Sequence, residues 1–195
     1  MKLEELFTIS IGTNISRLKI LHSETQQMYS HADLLFDIGQ AVNMSRTFSE
    51  YSREEERRYI LEEGDIVYHF ITGKVVIVSR ENSGKMFNQN FARLSANNRK
   101  IDPKYLCYLL NESPMVKRQL TTLMQGSVMR GVTPAILRQI DLEIIEKELQ
   151  LKLGNIYWNL NRYNYLIEQE SKIQNQIVLE TIKYAIKKEG NEPWV

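Results

Sequence analysis

Residues 59–79 read YILEEGDIVYHFITGKVVIVS, and this stretch decides the fold. It holds two runs rich in β-branched and aromatic residues, 66–71 and 74–79, separated by the polar pair Thr72-Gly73. Apolar runs divided by a two-residue break that contains glycine are typical of a β-hairpin. The stretch therefore predicts two paired strands, which follow an earlier turn at Glu63-Gly64.

The flanking chain extends this hairpin into a larger sheet. Past a turn at Asn82-Ser83-Gly84, the run NQNFARL (88–94) predicts a third strand. Upstream, residues 3–11 alternate weakly, which indicates a strand or a short helix before a turn at Gly12. Downstream, residues 140–144 alternate apolar side chains with acids, as a half-buried closing strand does.

Helices are predicted where capping residues precede an apolar stripe. HADLLFDIGQ (31–40) fits a short helix ended by Gly39. Asp102-Pro103 and Thr133-Pro134 each place a capping side chain before a proline at the first helical position. A further helix is predicted from Pro114 to about Gln125.

A much longer helix is predicted from about residue 146 to 188, where proline is absent and Gly154 is the only glycine. Apolar residues recur there in alternating steps of four and three, slip by one residue and resume. These seam residues are Leu149, Leu153, Ile156, Leu160, Tyr163, Ile167, Ile173, Ile177 and Tyr184. The pattern predicts a heptad seam about 60 Å long. The helix either folds back on its own domain or pairs with another chain, and its length favours another chain.

Composition limits the class of protein. A hydrophobic share of 43% allows a core, and 25% charged residues argue against wholesale disorder. The single Cys107 excludes a disulfide framework and a cysteine-rich zinc site. Acids near the N-terminus and the lack of a long apolar run indicate a cytoplasmic protein with no membrane partner.

Charge is distributed unevenly along the chain. Residues 1–65 carry 7 basic and 12 acidic side chains, residues 66–140 carry 11 and 3, and residues 141–195 carry 7 and 9. A positive middle segment is a plausible phosphate-facing surface, because binding to DNA releases the counterions that surround phosphates. A solvated basic face with no partner is the alternative, and charge alone does not choose between the two.

The sequence contains none of the familiar catalytic motifs. The three histidines, His22, His31 and His69, lack the spacing of ligands on one helix, and no HExxH or nucleotide-binding glycine loop is present. Cys107 falls on the apolar face of its helix and is interpreted as a buried small hydrophobe. We therefore expect no catalytic residue, no metal, no cofactor and no enzyme activity in this chain.

Six segments, in this order and spacing, resemble the specificity subunit of type I restriction-modification systems. They are KLEELFTISIGTNISR (2–17), the hairpin (59–79), NQNFARL (88–94), DPKYLCYLL (102–110), GSVMRGVTPAILRQIDLEI (126–144) and ELQLKLGNIYWNL (148–160). Two features depart from that family. Ile145-Glu146-Lys147 stands where a proline usually precedes the spacer helix, and the chain has one recognition domain and one helix instead of two of each.

The resemblance implies an α/β (α+β) DNA-recognition domain with a twisted mixed sheet, followed by a long coiled-coil-type α-helix. It predicts a target recognition domain at 1–145, a spacer and dimerisation helix at 146–190 and a tail at 191–195. The implied partners are double-stranded DNA, a methyltransferase subunit and, in a full system, a restriction and translocase subunit. Two copies paired antiparallel through the helix would form a homodimer with two-fold symmetry.

Candidate DNA-contacting residues are chosen by side-chain chemistry. Flexible cations suit phosphates, and planar donors and acceptors suit base edges. The candidates are Arg17, Arg46, Lys74, Arg80, Lys85, Asn88, Gln89, Arg99, Lys100 and Arg130. For Gln89 and Asn90 the alternative is structural, since NQNFARL has the pattern of a core strand whose amides cap the neighbouring backbone. Two rival functions remain open, namely a regulator that docks on a specificity subunit without reading DNA, and a small nuclease.

Overall fold

The computed structural model describes residues 1–14, 27–39, 58–97, 100–125 and 131–189. The strands are β1 (Phe7–Ile11), β2 (Ile66–His69), β3 (Val75–Ile77) and β4 (Phe91–Ala96). The helices are α1 (Leu3–Leu6), α2 (His31–Ile38), α3 (Pro103–Glu112), α4 (Pro114–Gln125), α5 (Pro134–Arg138) and α6 (Lys147–Glu189), and Arg80–Asn82 forms one turn of 3-10 helix.

The four strands form one sheet in the order β1-β4-β2-β3, and every neighbouring pair is antiparallel. The predicted hairpin is confirmed, with Ile66 opposite Ile77 and Tyr68 opposite Val75. Among the described residues, parallel pairing is limited to two isolated bridges, Thr13 with Asn88 and Met28 with Met86. The parallel part of the expected mixed sheet is therefore confined to single bridges outside the strands.

The third strand begins later than predicted, at Phe91 instead of Asn88. Residues 88–90 form a turn because the carboxamide oxygen of Asn88 accepts a hydrogen bond from the backbone N–H of Asn90 at 2.9 Å. The Asn88 carbonyl also accepts from the backbone N–H of Phe91 at 2.9 Å. Asparagine commonly binds the backbone two residues on in this way, which competes with strand pairing.

Both faces of the sheet are buried. One face packs Ile66, Ile77 and Leu94 against α3 and its neighbours, including Leu106 and Leu137. The other face, formed by side chains such as Val67, Val76 and Phe91, packs against Tyr29 and Leu34. Strands covered on both sides read as continuous apolar runs, as residues 66–71 do.

The predicted strand at 140–144 is not part of the sheet. Ile140 and Leu142 are buried between exposed Asp141 and Glu143, as the alternation predicts. Within the described ranges, however, the segment pairs only with the N-terminus, through one bridge between Lys2 and Asp141. The expectation of a closing strand was wrong. Alternation of apolar and acidic residues indicates that one side of a segment is buried, but it does not show that a sheet edge is available for pairing.

The first half of α6 packs against α3, and one side of α6 makes this contact. Gln150, Gly154 and Trp158 are buried there. A Cβ atom at Gly154 would lie 2.7 Å from the Tyr105 nitrogen and 2.8 Å from Asp102 Oδ1, so a larger residue would push the helices apart. Gln150 adds two bonds, accepting from the Asp102 N–H at 2.8 Å and donating to the Lys100 carbonyl at 3.0 Å.

Farther along, α6 contacts α2 and Gly39, the residue that follows it. The Arg162 guanidinium donates to the Gly39 carbonyl at 2.7 Å, and the ring of Tyr165 meets Phe36 edge-on. Past Tyr165, every described side chain up to residue 187 is exposed except half-buried Gln169. The predicted class, an α+β domain followed by a long helix, is confirmed. Within the described ranges, no helix has both the length and the apolar character needed to cross a bilayer.

Candidate nucleic-acid interface

Three loops meet at one end of the sheet, where β1 and β2 end and β4 begins. These are residues 12–14, 70–74 and 88–90, which we call the loop end. The loops are bonded to one another through the backbone. Gln89 donates its N–H to the Thr13 carbonyl at 3.0 Å, and Phe70 donates to the Asn90 carbonyl at 2.9 Å. The loop end is therefore a connected surface supported by the sheet.

Gly12 allows two of these loops to approach closely. A Cβ atom there would lie 2.2 Å from the Asn88 carbonyl oxygen, a distance that side chains do not tolerate. The turn that the sequence predicts at Gly12 thus brings the 12–14 backbone against the 88–90 turn. Arg17 and the rest of residues 15–26 lie outside the described residues.

Lys74, Asn88 and Gln89 are the three predicted DNA-contacting residues that the structure brings together at the loop end. Gln89 has an exposed side chain, while Asn88 uses its carboxamide oxygen to close its own turn. Lys74 is part of an ion pair, because its Nζ atom lies 3.4 Å from Glu112 Oε1. The structural alternative raised for this stretch therefore describes Asn88 better than it describes Gln89.

Glu112 binds two lysines at the edge of the loop end. Its carboxylate lies 3.4 Å from Lys74 Nζ and 3.0 Å from Lys117 Nζ. Partial burial raises the pKa of Glu112, but the hydrogen bonds and charges of the two lysines outweigh it and hold the pKa below its ordinary value. All three side chains are largely exposed, so water and salt weaken the pairs and leave the lysines able to exchange partners.

A cavity of about 410 Å³ lies between the 70–74 loop, α4 and the start of the segment that leads to α5. Its walls include Phe70, Leu120 and Met124, with Lys74 and Lys117 also lining it. Gly131 lines the same cavity and directly follows Arg130, which lies outside the described residues.

Three further predicted DNA-contacting residues that the structure describes, Arg80, Lys85 and Lys100, lie away from the loop end. Arg80 follows β3 and Lys100 follows β4, at the opposite end of the sheet, and both are exposed. Lys85 is mostly buried, with Nζ 2.8 Å from Asp33 Oδ1 and 2.7 Å from Asn82 Oδ1. These contacts give Lys85 a structural role, and its contact with a phosphate stays a prediction. Arg46 and Arg99 lie outside the described residues.

Some cations of the positive middle segment pair with acids from outside it. Acids from the first 65 residues neutralise two of its cations, since Lys85 pairs with Asp33 and Arg93 lies 3.5 Å from Asp65. Arg93 is further held by the Ile60 and Arg58 carbonyls. Sequence charge alone does not identify these two pairs, because the compensating acids are distant in sequence and adjacent in space.

Sequence analysis missed the pairing of two histidines at the loop end. The imidazole rings of His31 and His69 stack with centroids 5.5 Å apart, and His69 stacks on Phe91 at 4.4 Å. His69 is 4% exposed, and its Nδ1 lies 2.9 Å from the Thr72 hydroxyl. Burial, followed by the charge of His31, lowers the pKa of His69. No signal in the sequence links these residues, which are 38 positions apart.

Cys107 lies in the core, and burial raises the pKa of its thiol. A thiol that resists ionisation is a poor nucleophile, in keeping with the interpretation of Cys107 as a small hydrophobe. Among the described residues, no three His, Cys, Asp or Glu side chains are grouped as metal ligands.

The predicted seam of α6 is exposed on the side of the helix away from the domain. Exposed fractions include 36% at Leu153, 64% at Ile156 and 53% at Leu160. The remaining seam residues are also exposed, namely Leu149, Tyr163, Ile167, Ile173, Ile177 and Tyr184. The two alternatives for the helix are thus not exclusive, since one side packs on its own domain and the opposite side is uncovered.

Compared by sequence, the chain matches no protein-family model and no curated protein. Compared by structure, it is similar to the HsdS subunit from Thermoanaerobacter tengcongensis, with a TM-score of 0.50 and 12% identity, over 97% of this chain and 43% of that one. The S subunit of a type I restriction-modification system from M. genitalium gives a TM-score of 0.48 and 14% identity, over 97% and 43% of the two chains. A third structure, from work on the assembly and conformational transition of the type I restriction-modification system, gives a TM-score of 0.49 and 13% identity, over 95% of this chain and 48% of that one.

The chain therefore has the fold of a type I restriction-modification HsdS subunit, which confirms the resemblance inferred from its sequence. It spans less than half the length of each of these relatives. At this level of identity the likeness establishes the fold alone.

Proposed function

We propose that the chain is the DNA-reading component of a type I restriction-modification complex and works as a homodimer. Its domain reads one half of a bipartite site, and its helix joins two such domains and holds the methyltransferase subunit, with a restriction subunit in a full system. In this proposal the chain is not an enzyme, and the partner subunits supply the chemistry.

The observation that carries the proposal is the uncovered apolar seam on a helix fixed to the domain. Gly154, Gln150 and Arg162 attach α6 to the domain along one side, and the seam lies on the other side. Large apolar side chains repeated at heptad spacing are stabilised when they pack into a facing helix. An antiparallel pair of α6 helices would hold two identical loop ends at a separation fixed by the length of the paired helices.

The seam is tested by measuring the molar mass of the wild-type chain and of Ile156→Asp by light scattering. We expect twice 22.9 kDa for the wild type and a monomer for the variant, because a carboxylate in the seam would have to be desolvated. Asn159→Asp is the matched control, since Asn159 is also exposed but lies off the seam. A wild-type monomer at all concentrations would contradict the dimer.

DNA reading is tested by filter binding to a randomised duplex pool over a salt series, with and without Mg²⁺. We expect affinity to fall as salt rises, since phosphate contacts release counterions, and bound fragments to converge on an interrupted palindrome, because a two-fold protein reads a two-fold site. Tight helix pairing with no salt-dependent binding would favour the regulator that docks on a specificity subunit. Cleavage that requires Mg²⁺ would favour a nuclease.

Arg17 and Arg130 are the strongest base-contacting candidates by side-chain chemistry. If either makes a bidentate contact with a base edge, its replacement by alanine costs about 1–3 kcal/mol of specific binding. Gel-shift titration on the selected duplex measures this cost, and an unchanged affinity removes that residue from the set.

A further inference from the structure

A column of four rings lies at the loop end and begins at the surface. The imidazole of His31 stacks on His69 with an interplanar angle of 28°, and His69 stacks on Phe91 at 22°. Tyr29 meets Phe91 edge-on at 5.3 Å. The outer ring, that of His31, is exposed, and the three rings beneath it are buried.

The ring beneath His31 is held in place from several directions. His69 pairs with Phe91 across β2 and β4, and its backbone N–H donates to the Lys74 carbonyl at 2.8 Å. The hydroxyl of Thr72 lies 2.9 Å from His69 Nδ1. Because His69 is held in place, the His31 ring that stacks on it loses little further conformational freedom when a ligand binds. This preorganisation favours affinity.

The surroundings leave the nitrogen atoms of His31 suited to an acceptor-rich ligand. His31 is the first residue of α2, where the helix dipole favours negative charge. The nearest carboxylate on its own helix, that of Asp33, already binds the Ser30 N–H, the Ser30 hydroxyl and Lys85. His69 is the titratable group that faces it from the sheet.

We propose that the imidazole of His31 contacts the duplex directly, and that stacking on His69 fixes its orientation for that contact. The contact donates a ring N–H to a phosphate oxygen or to an acceptor on a base edge. This inference rests on the proposed function, because it adds one residue to the surface that Gln89 and Lys74 already mark at the loop end.

Histidine NMR signals test the contact in the intact chain. The sequence contains three histidines, so the ring Cε1–Hε1 signals of a ¹³C-histidine-labelled protein are few, and single substitutions assign them. The probe is a duplex recovered from the randomised pool by the wild-type protein. We expect the His31 signal to shift on addition of this duplex. A His31 signal that stays unchanged while the duplex is bound would overturn the proposal.

Two variants at position 31 separate contact from packing. His31→Ala removes both the stacked ring and the N–H, whereas His31→Phe keeps a flat ring and removes only the N–H. We expect both to bind the selected duplex about tenfold more weakly. Leu35→Ala is the control, since Leu35 is exposed one turn farther along α2 and should bind like the wild type. Wild-type affinity in His31→Phe would show that the ring only packs, which also overturns the proposal.

Failure of this inference can be told apart from failure of the proposed function. If the wild-type protein recovers no duplex from the pool, the proposed DNA-reading function fails and His31 with it. If a duplex is recovered and bound but both position-31 variants bind it normally, only the contact through His31 is wrong.

Discussion

Asp37 joins three parts of the domain within a buried site. Its carboxylate accepts hydrogen bonds from the Tyr29 hydroxyl at 2.6 Å, from Asn82 Nδ2 at 2.8 Å and from the Ser79 N–H at 3.2 Å. Burial raises the pKa of Asp37 in spite of these donors, which act to lower it. The residue thus links α2 to the turn that follows β3.

Replacing Asp37 by alanine should lower the free energy of unfolding by about 3 kcal/mol, because three buried donors lose their acceptor together. Tyr29→Phe removes only one of the three bonds and should cost about 1 kcal/mol. Urea unfolding followed by circular dichroism measures both. A cost for Asp37→Ala no larger than that for Tyr29→Phe would show that water replaces the carboxylate.

His69 makes stability depend on pH. Its pKa in the folded protein is lowered by burial and by His31, so the unfolded chain takes up a proton that the folded chain does not. Stability should therefore fall as pH drops below about 6.5, the ordinary histidine pKa. Thermal unfolding of the wild type and of His69→Phe, measured from pH 7.5 to 5, checks this. The variant should show a smaller loss, and equal slopes would contradict the assignment.

At the scale of elements, the close contact between α3 and α6 depends on Gly154, which has no side chain. Gly154→Ala should raise intrinsic helix propensity by about 1 kcal/mol. The added Cβ would nevertheless meet the Tyr105 backbone at 2.7 Å, so we expect a net loss of stability. Urea unfolding measures it, with the exposed Leu151→Ala on the same helix as control. A more stable Gly154→Ala would mean that the two helices separate at little cost.

Elements set by neighbouring residues were predictable from the sequence. The caps at Asp102 and Thr133 bond the backbone N–H groups of the first helical turn, as their spacing predicts. The Thr72-Gly73 turn follows from the same local chemistry, and Gly73 has a positive φ of 69°. These features depend on contacts within a few residues, so one stretch of sequence contains all the information.

Elements set by distant residues were not predictable in this way. The pairing of β1 with β4 joins Phe7 to Ala96, and no local pattern specifies that register. The same reason hid the His31–His69 stack and the internal pairing of Lys85 with Asp33. The DNA contact of Gln89, which was chosen by its side-chain chemistry, stays a prediction, as do the contacts of the other candidates.

At the scale of the whole molecule, the paired α6 helices of the proposed dimer would set the distance between its two loop ends. The domain contacts of α6 run from Gln150 to Tyr165, and the seam residues extend on to Tyr184. In an antiparallel pair, the part of one helix beyond its own domain would lie beside the domain-attached part of the other. Each helix would then be supported along most of its length, by its own domain or by the partner.

The free half of α6 has a consequence for how the protein folds. Residues 166–189 form about 36 Å of helix in which every described side chain except that of Gln169 is exposed, and isolated helices are marginal in water. We therefore expect this half of the helix to form on assembly. The mean residue ellipticity at 222 nm should become more negative as the protein concentration rises through the dimer dissociation constant. Ile156→Asp should show no such change, and helicity independent of dilution in the wild type would mean that this half is helical without a partner.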